Sequence, residues 1–412
     1  MKEQKNSRRQ FISKSIVGLS GSILASGLPL SSFAENKITA VDEADSSHDF
    51  LTKPYLQAPS SDSITIMWIT KQLSLNWVEY GETEKLGTKA QQCSHGMMNT
   101  NSKINKVTLT NLKPGTRYYY KVFSKQILDF QPYKITFGDI INSEINHFET
   151  FPEKATNISW LVLNDIHDRP ESFSQLIDLN QNKPFDFVFL NGDMFNYQTD
   201  ENQIIENLLT PCNIFSSKKP FMFVRGNHET RGKFSRNLLD YYHNYDNKEY
   251  YTFQTGPVYA IVLDTGEDKK DSHPVYGGTV NYDSYREEQA AWLEKQMNTK
   301  AFKKASFRVV MMHIPHYHSD EEHGTTECRR LFGPLFEKHK IDLFVAGHTH
   351  EYGMFEPNTD HSYHFVIGGG PETGIRTLIR IEANSKILKL QMLNDSGKEI
   401  GVFTLNSKRK NL

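Results

Sequence analysis

The sequence is short of cysteine, of long apolar runs and of excess charge, and each shortage excludes a class of protein. Its three cysteines, Cys93, Cys212 and Cys328, are too few and too scattered for a disulfide framework or a Cys-x-x-Cys metal site, so we expect at most one disulfide. No apolar run reaches the roughly 20 residues that cross a membrane, so no transmembrane segment is expected. The 47 Lys and Arg nearly balance the 49 Asp and Glu, which argues against nucleic-acid binding driven by bulk charge.

The overall composition is that of an ordinary globular protein, apart from a large number of histidines. The 412 residues are enough for two or three domains at roughly 150 residues each. Hydrophobic residues make up 37% and charged residues 23%, which excludes wholesale disorder. The 16 histidines are the one compositional hint of metal chemistry.

The N-terminus has the pattern of an export signal. Residues 1–15 carry five basic side chains, and residues 16–30 form a mild apolar run. Residues 7–12, Ser-Arg-Arg-Gln-Phe-Ile, resemble the twin-arginine motif S-R-R-x-F-L, and Ser-Phe-Ala at 32–34 offers a cleavage site. We therefore expect residues 1–34 to be a signal peptide read by the twin-arginine machinery, and the protein to be periplasmic or secreted. The alternative is a cytoplasmic protein with a basic, disordered start.

A small all-β domain is expected next, at residues 48–152. Short runs with alternating apolar residues, separated by turn residues, predict a β-sandwich; the runs are 63–70, 77–80, 107–112 and 117–122. Residues 112–120, Leu-Lys-Pro-Gly-Thr-Arg-Tyr-Tyr-Tyr, resemble the tyrosine corner of fibronectin type III domains, with Tyr118 as the corner residue. We interpret Trp68 as a core residue and expect the domain to have a structural or positional role.

From residue 156 to residue 406 the pattern changes to apolar strands alternating with helices. The predicted strands are 159–163, 185–190, 220–224, 258–263, 307–312 and 341–346, and closing strands are expected within 379–405. The predicted helices are 172–180, 202–215, 284–297 and 325–339. This alternation predicts an α/β layered domain.

Polar motifs follow five of these strands. In chain order they are Asp165-Ile166-His167, Gly192-Asp193, Gly226-Asn227-His228-Glu229, His313 and Gly347-His348-Thr349-His350. Ligands of open α/β sheets collect at the carboxyl ends of strands, so these loops are expected to converge. Imidazole, carboxylate and amide groups suit Zn, Mn or Fe, and there are enough of them for two ions.

The order of the five motifs resembles that of the calcineurin-like metallophosphoesterases, over roughly residues 156–390. The resemblance implies that Asp165, His167 and His350 hold one divalent ion, that Asn227, His313 and His348 hold a second, and that Asp193 bridges both. It also implies that His228 stands beside the phosphate as proton donor or transition-state stabiliser, oriented by a carboxylate such as Glu229.

The β domain in front of these motifs resembles the N-terminal domain of purple acid phosphatases, but two motif positions differ. Those enzymes read D-x-G and G-D-x-x-Y, and their tyrosine is a ligand of ferric iron. Here His167 occupies the glycine position, Asn196 occupies the tyrosine position, and Tyr197 comes one residue late. We therefore expect the first ion to be divalent and not ferric.

These observations predict an exported dinuclear-metal hydrolase of small-molecule phosphate esters. Two cations about 3.5–4 Å apart polarise phosphoryl oxygens and lower the pKa of a bound water, so that hydroxide attacks phosphorus in line. A phosphomonoesterase is the leading interpretation. A phosphodiesterase with the same site is the first alternative, and a non-catalytic surface-binding protein on the same scaffold is the second. The sequence leaves the substrate and the oligomeric state open.

Three further groups of residues have weaker signals. His316, His318 and His323, with the acidic residues 320–322, are expected either to line the substrate mouth or to be solvated loop residues. Arg231 and residues 241–243 are candidates for contact with the phosphate or the leaving group. The glycines 368–370 are expected to permit a close backbone approach.

Overall fold

The computed structural model describes residues 47–409, so the expected signal peptide at 1–34 lies outside the described residues. None of the helices in this range is long and apolar enough to span a membrane. The three cysteines are free thiols; Cys93 is exposed, and Cys212 and Cys328 are buried.

The N-terminal domain is built of β-strands only, as predicted. Its strands are β1 (Tyr55–Gln57), β2 (Ile64–Gly81), β3 (Thr88–Ala90), β4 (Cys93–Ser94), β5 (Met97–Met98), β6 (Thr100–Leu109), β7 (Arg117–Gln131), β8 (Lys134–Asn142) and β9 (Asn146–Glu149). All ladders between these strands are antiparallel, and β4 and β5 form a separate two-stranded ribbon.

Strand β2 corrects one prediction, because the two runs 63–70 and 77–80 belong to a single strand of 18 residues. Its first part pairs with β1 and β6, and its second part pairs with β7 and β3. The register is irregular between Ile69 and Ser74, where the partners change. The polar segment between the two runs suggests a turn, but pairing on both sides keeps it extended.

The predicted tyrosine corner is present. The hydroxyl of Tyr118 accepts a hydrogen bond of 2.9 Å from the backbone N–H of Lys113, five residues upstream. Trp68 is fully buried in the core of this domain, and its indole N–H donates to Ser124 at 2.8 Å. Both predictions for the core of this domain are therefore confirmed.

The second domain contains two six-stranded sheets. Its strands are β10 (Asn157–Leu163), β11 (Phe187–Asn191), β12 (Phe221–Val224), β13 (Tyr251–Thr255), β14 (Val258–Leu263), β15 (Phe307–Met312), β16 (Leu343–Ala346), β17 (Gly353–Phe355), β18 (His364–Ile367), β19 (Thr377–Asn384), β20 (Ile387–Asn394) and β21 (Glu399–Asn406). One sheet has the order β12-β11-β10-β19-β20-β21, and the other has the order β13-β14-β15-β16-β18-β17. Strands β10, β11 and β12 are mutually parallel, and so are β14, β15, β16 and β18.

The two sheets pack face to face and helices cover their outer faces. Along β10, Trp160 and Val162 point into the core between the sheets, whereas Leu161 and Leu163 pack under the outer helices. The helices are α1 (Glu171–Asp178), α2 (Glu201–Ile204), a π-helical turn (Ile205–Leu209), α3 (Thr210–Cys212), α4 (Tyr282–Met297), α5 (Lys300–Lys304) and α6 (His323–His339). The predicted fold class, a β-domain followed by an α/β layered domain, is confirmed.

Buried hydrogen bonds join the two domains. The hydroxyl of Tyr55 donates to the carbonyl of Tyr241 at 2.7 Å, and the hydroxyl of Tyr120 donates to the carbonyl of Ser217 at 2.8 Å. The side chain of Gln57 accepts from the backbone N–H of His243 at 3.2 Å. The segment 241–243 therefore lies at the domain junction, and the idea that it contacts phosphate is wrong.

Candidate metal centre

The motifs predicted to carry the chemistry meet at the carboxyl ends of strands from both sheets. Asp165 and His167 follow β10, Asp193 follows β11, and Asn227 follows β12 in the first sheet. From the second sheet, His313 follows β15, and His348 and His350 follow β16. Parallel strands bring their carboxyl ends to one edge, and two facing sheets place two such edges side by side.

One group of side chains consists of Asp165, His167, Asp193 and His350. Their donor atoms all lie within 4.8 Å of one another. The two Nε2 atoms of His167 and His350 are 2.9 Å apart. Asp165 Oδ1 lies 3.7 Å from His167 Nε2 and 3.6 Å from His350 Nε2. This group matches the first predicted ligand set.

A second group shares Asp193 with the first. The donor atoms of Asp193, His313 and His348 lie within 4.8 Å of one another. Asn227 Oδ1 is 3.0 Å from His348 Nδ1, which brings the amide into the same group. This group matches the second predicted set.

Asp193 lies between the two groups. Its Oδ2 atom is 3.0 Å from His313 Nε2 in the second group and 3.6 Å from His167 Nε2 in the first. Its Oδ1 atom accepts a hydrogen bond of 2.9 Å from the backbone N–H of His228. One carboxylate oxygen is thus fixed by the backbone, and the other faces both groups.

The arrangement fits divalent ions better than it fits direct hydrogen bonding. Asp165 Oδ1 is buried without a hydrogen-bond partner, while Oδ2 of the same carboxylate accepts from the backbone N–H of His348 and from the Asn164 amide. Two ligand atoms on one tetrahedral Zn²⁺ are about 3.3 Å apart, because each bonds at about 2.0–2.1 Å. The separations of 3.6 to 3.7 Å around Asp165 Oδ1 are close to that value and too long for hydrogen bonds.

The backbone at the site is held in an uncommon conformation. Asp165, His167, Asp193, His348 and His350 all have positive φ angles, between 50° and 76°. Such angles are rare for residues with a Cβ and tend to occur at functional sites. Gly226 is required beside them, since a Cβ there would lie 2.1 Å from Asp193 Oδ1.

The charges of the cluster compensate one another. Burial acts to raise the pKa of Asp193, but the neighbouring imidazoles, His313 foremost, hold it far below its usual range. Burial acts to lower the pKa of His313, but Asp193 and Asp165 raise it to about 10. The buried carboxylates therefore require positive charge beside them, which is what a cation supplies.

Glu229 does not orient His228, and this correction changes its role. Its buried carboxylate accepts three backbone hydrogen bonds of 2.7 Å, from Gly226, Asp193 and Met194. Burial, and then the charge of Asp193, raise the pKa of Glu229 to about 7. Glu229 thus fixes the loop that carries Asp193.

His228 belongs to neither ligand group. Its Nδ1 atom lies 2.9 Å from the carbonyl oxygen of Asn196, and its Nε2 atom lies 2.9 Å from a guanidinium nitrogen of Arg231. Burial, with a smaller contribution from the charge of Arg231, lowers the pKa of His228 although Asp193 opposes this. The imidazole therefore presents Nε2 to the cleft beside a fixed cation.

Two side chains near the ligands contact the imidazoles from behind. Asn196, at the position where the tyrosine is missing, has its Oδ1 atom 3.1 Å from His167 Nδ1. Its amide nitrogen donates to Asp168 at 2.7 Å. Glu322 Oε2 lies 3.1 Å from His348 Nε2. Tyr197 has 52% of its surface exposed and contacts none of the ligands.

A cleft of about 660 Å³ opens over the two groups. Of the loop residues 316–323, four line the cleft, in agreement with the first of the two interpretations: His318, Ser319, Asp320 and Glu322. His316 neither lines the substrate mouth nor is solvated. It is fully buried against Phe344, with its Nε2 atom 2.6 Å from the hydroxyl of Tyr363.

Asp268 and Lys269 are among the cleft residues that the sequence analysis did not identify. They belong to the loop after β14, which carries none of the five motifs. The position of this loop after a parallel strand of the second sheet could have identified it, because ligands bind at the carboxyl ends of such strands.

Comparison with known proteins agrees with this geometry. Residues 158–352 match the family described as calcineurin-like phosphoesterase. Residues 52–150 match the purple acid phosphatase N-terminal domain. The two matches lie side by side in one chain, and the calcineurin-like match ends at residue 352, before strands β17 to β21 of the second domain.

Among curated relatives, purple acid phosphatase 21 of Arabidopsis thaliana is 24% identical over 322 residues, which are 74% of this chain and 66% of that protein. Acid phosphatase type 7 of Mus musculus is 26% identical over 335 residues, which are 74% of this chain and 69% of that protein. The chain thus spans about two thirds of the length of these relatives.

Solved structures share the fold. A purple acid phosphatase from yellow lupin (Lupinus luteus) seeds has a TM-score of 0.66 at 17% identity, covering 86% of this chain and 74% of that chain. The structure of PhoD has a TM-score of 0.60 at 12% identity, covering 88% of this chain and 90% of that chain. The converging motifs and the two family matches lead to one conclusion: the chain is a metal-dependent phosphoesterase whose residues 158–352 form a calcineurin-like phosphoesterase domain, preceded at residues 52–150 by a purple acid phosphatase N-terminal domain.

Proposed function

We propose that the protein hydrolyses small phosphomonoesters with two divalent metal ions. The observation that carries the proposal is a pair of ligand groups that share Asp193, with Asp165, His167 and His350 on one side and Asn227, His313 and His348 on the other. Two divalent ions of the Zn, Mn or Fe kind, when bound there, polarise the phosphoryl group and make water nucleophilic at neutral pH.

Asp193 and His228 have separate roles in this reaction: Asp193 faces both ligand groups, and His228 acts on the substrate. Asp193 keeps one oxygen on the backbone N–H of His228 and turns the other toward both groups. Because His228 Nδ1 is held by the carbonyl of Asn196, Nε2 is the atom that faces the substrate. Nδ1–H donates to that carbonyl, so Nε2 accepts from Arg231 in the neutral ring and carries a proton only in the imidazolium form. In that form Nε2–H donates its proton to the leaving oxygen, or stabilises the charge that develops on it, at a typical gain of roughly 10²- to 10⁴-fold.

The test compares a phosphomonoester with a diester and includes two variants. The metal-loaded parent should hydrolyse p-nitrophenyl phosphate faster than bis(p-nitrophenyl) phosphate. Asp193→Asn should reduce the metal content and lower kcat by more than about 100-fold. Even the loss of a residue that only hydrogen-bonds to a ligand typically lowers metal affinity or activity by about 10- to 100-fold. His228→Ala should lower kcat by about 10²- to 10⁴-fold with both ions retained.

Each contrary result has a defined meaning. Faster hydrolysis of the diester would identify a phosphodiesterase. No turnover by protein with both ions bound would favour the non-catalytic binding protein. Loss of one metal equivalent in His228→Ala would show that His228 is a ligand, and unchanged activity in Asp193→Asn would remove Asp193 from the site.

We also propose that the protein is exported by the twin-arginine machinery. The support is the motif at residues 7–12 followed by an apolar run, within residues 1–34. The double variant Arg8→Lys, Arg9→Lys keeps the charge but removes the arginine pair, so the precursor should remain in the cytoplasm. Cell fractionation checks this, and normal appearance of the variant outside the cytoplasm would indicate the general secretion route.

A further inference from the structure

A second cavity, of about 550 Å³, adjoins the cleft over the ligand groups. Arg231 and Lys269 line both cavities, so the two spaces meet at these side chains. The walls of the second cavity also include Arg236, the buried carboxylate of Glu267, and an apolar side formed by Val275 and Val280.

The charge of this cavity is positive, because Arg236 is not neutralised. Arg231 is paired with Glu267 at 3.3 Å and with Asp268 at 3.4 Å, and Lys269 is paired with Asp268 at 2.8 Å. Within residues 47–409, by contrast, Arg236 forms no ion pair, and its guanidinium donates only to neutral oxygens of Thr230, Ser235 and Thr279. These contacts hold the guanidinium in place and leave its charge available to a ligand.

The position of His228 relates the cavity to the reaction. Its Nε2 atom, which the proposed function directs at the leaving oxygen, lies 2.9 Å from Arg231. The leaving group of a substrate is therefore next to Arg231, where the second cavity opens.

From this arrangement, and resting on the proposed function, we propose that the second cavity binds the leaving group and selects phosphomonoesters whose leaving group carries its own negative charge. Arg236 binds that charge, which is a carboxylate or a second phosphate. Val275 and Val280 contact the carbon part of the leaving group.

The test uses two matched substrates, phenyl phosphate and 4-carboxyphenyl phosphate, and measures the ratio of their kcat/KM values on the full metal-loaded protein. The parent should prefer the carboxylated substrate. Arg236→Gln, which loses the charge, should reduce this preference about tenfold, the effect of one charge-assisted hydrogen bond. Arg236→Lys should keep most of it.

A matched control is Arg330→Gln, because Arg330 is an exposed arginine of α6 that is paired with Glu327. The substrate preference of this variant should equal that of the parent. No preference in the parent, or a preference that Arg236→Gln leaves intact, would overturn the inference while the proposed function stands. No hydrolysis of either substrate by the metal-loaded parent would overturn both.

Discussion

At the scale of single residues, His348 has polar contacts at both ring nitrogens, as expected for a metal-binding imidazole. Asn227 Oδ1 lies 3.0 Å from its Nδ1 atom, and Glu322 Oε2 lies 3.1 Å from its Nε2 atom. A ligating imidazole commonly donates its other N–H to a carboxylate, which fixes the tautomer and orients the ring. Glu322 occupies that position behind His348.

Replacing Glu322 should therefore weaken the second ligand group. Glu322→Gln removes the charge behind His348 and should reduce the Zn²⁺ affinity of one site by about 10- to 100-fold while the other site binds as before. Titration calorimetry with Zn²⁺ on metal-free protein measures both sites. The control is Glu321→Gln, whose carboxylate is bound by Arg329 at 2.7 Å. Equal losses in the two variants would contradict a specific role for Glu322.

The convergence of the candidate ligands was predictable from sequence, and the side chains that contact them were not. A ligand follows a strand in a short motif, so its position can be recognised locally, as for Asp193 and His313. Glu322 contacts His348, which lies 26 residues later in the chain. Arg231 contacts His228, three residues earlier, but the motif Gly-Asn-His-Glu does not indicate this contact. Such contacts depend on how loops fold over one another. The prediction that Glu229 orients His228 was wrong for the same reason, because its carboxylate accepts hydrogen bonds from the backbone of two loops.

At the scale of elements, the loop after β11 differs from the purple acid phosphatase pattern beside the first group of candidate ligands. In the purple acid phosphatases, which this chain resembles, the tyrosine three residues after the bridging aspartate binds ferric iron. Here that residue is Asn196, whose side chain connects His167 to Asp168, while Tyr197 points outward. The loop thus supports an imidazole in place of a phenolate.

We accordingly expect no intense visible absorption from the iron-loaded, oxidised protein, and activity with divalent ions alone. The physical reason is that charge transfer needs a tyrosinate on the ferric ion, and neither Asn196 nor the exposed Tyr197 provides one. Visible spectroscopy of the iron-loaded protein checks this. A strong band that disappears in Tyr197→Phe would mean that the loop rearranges when iron binds.

Element predictions succeeded where the periodicity was continuous. The strands at 258–263 and 307–312 have the predicted bounds, because the first is entirely apolar and buried and the second is interrupted only by Arg308. The predicted helix 202–215 instead contains a π-helical turn at Ile205–Leu209 and ends at Cys212. Apolar spacing does not distinguish a π turn from an α turn over five residues.

At the scale of the whole molecule, the sequence predicted two domains in the observed order but not how they join. The junction depends on single side-chain hydroxyls, such as those of Tyr55 and Tyr120, that reach backbone carbonyls of the other domain. Tyr120 also fits the period-2 pattern of a half-buried strand, so its hydroxyl gives no sign in the sequence that it bonds to another domain.

The division of ligands between the two sheets links the interior of the protein to its chemistry. Each ligand group draws side chains from both sheets, for example Asp165 and His350 in the first group and Asn227 and His348 in the second. The interior between the sheets is filled by large residues such as Trp160. Since packed cores do not compress, the thickness of that interior sets the spacing of the ligands. The volume of side chains far below the cleft thus helps to set the distances between the candidate metal ligands.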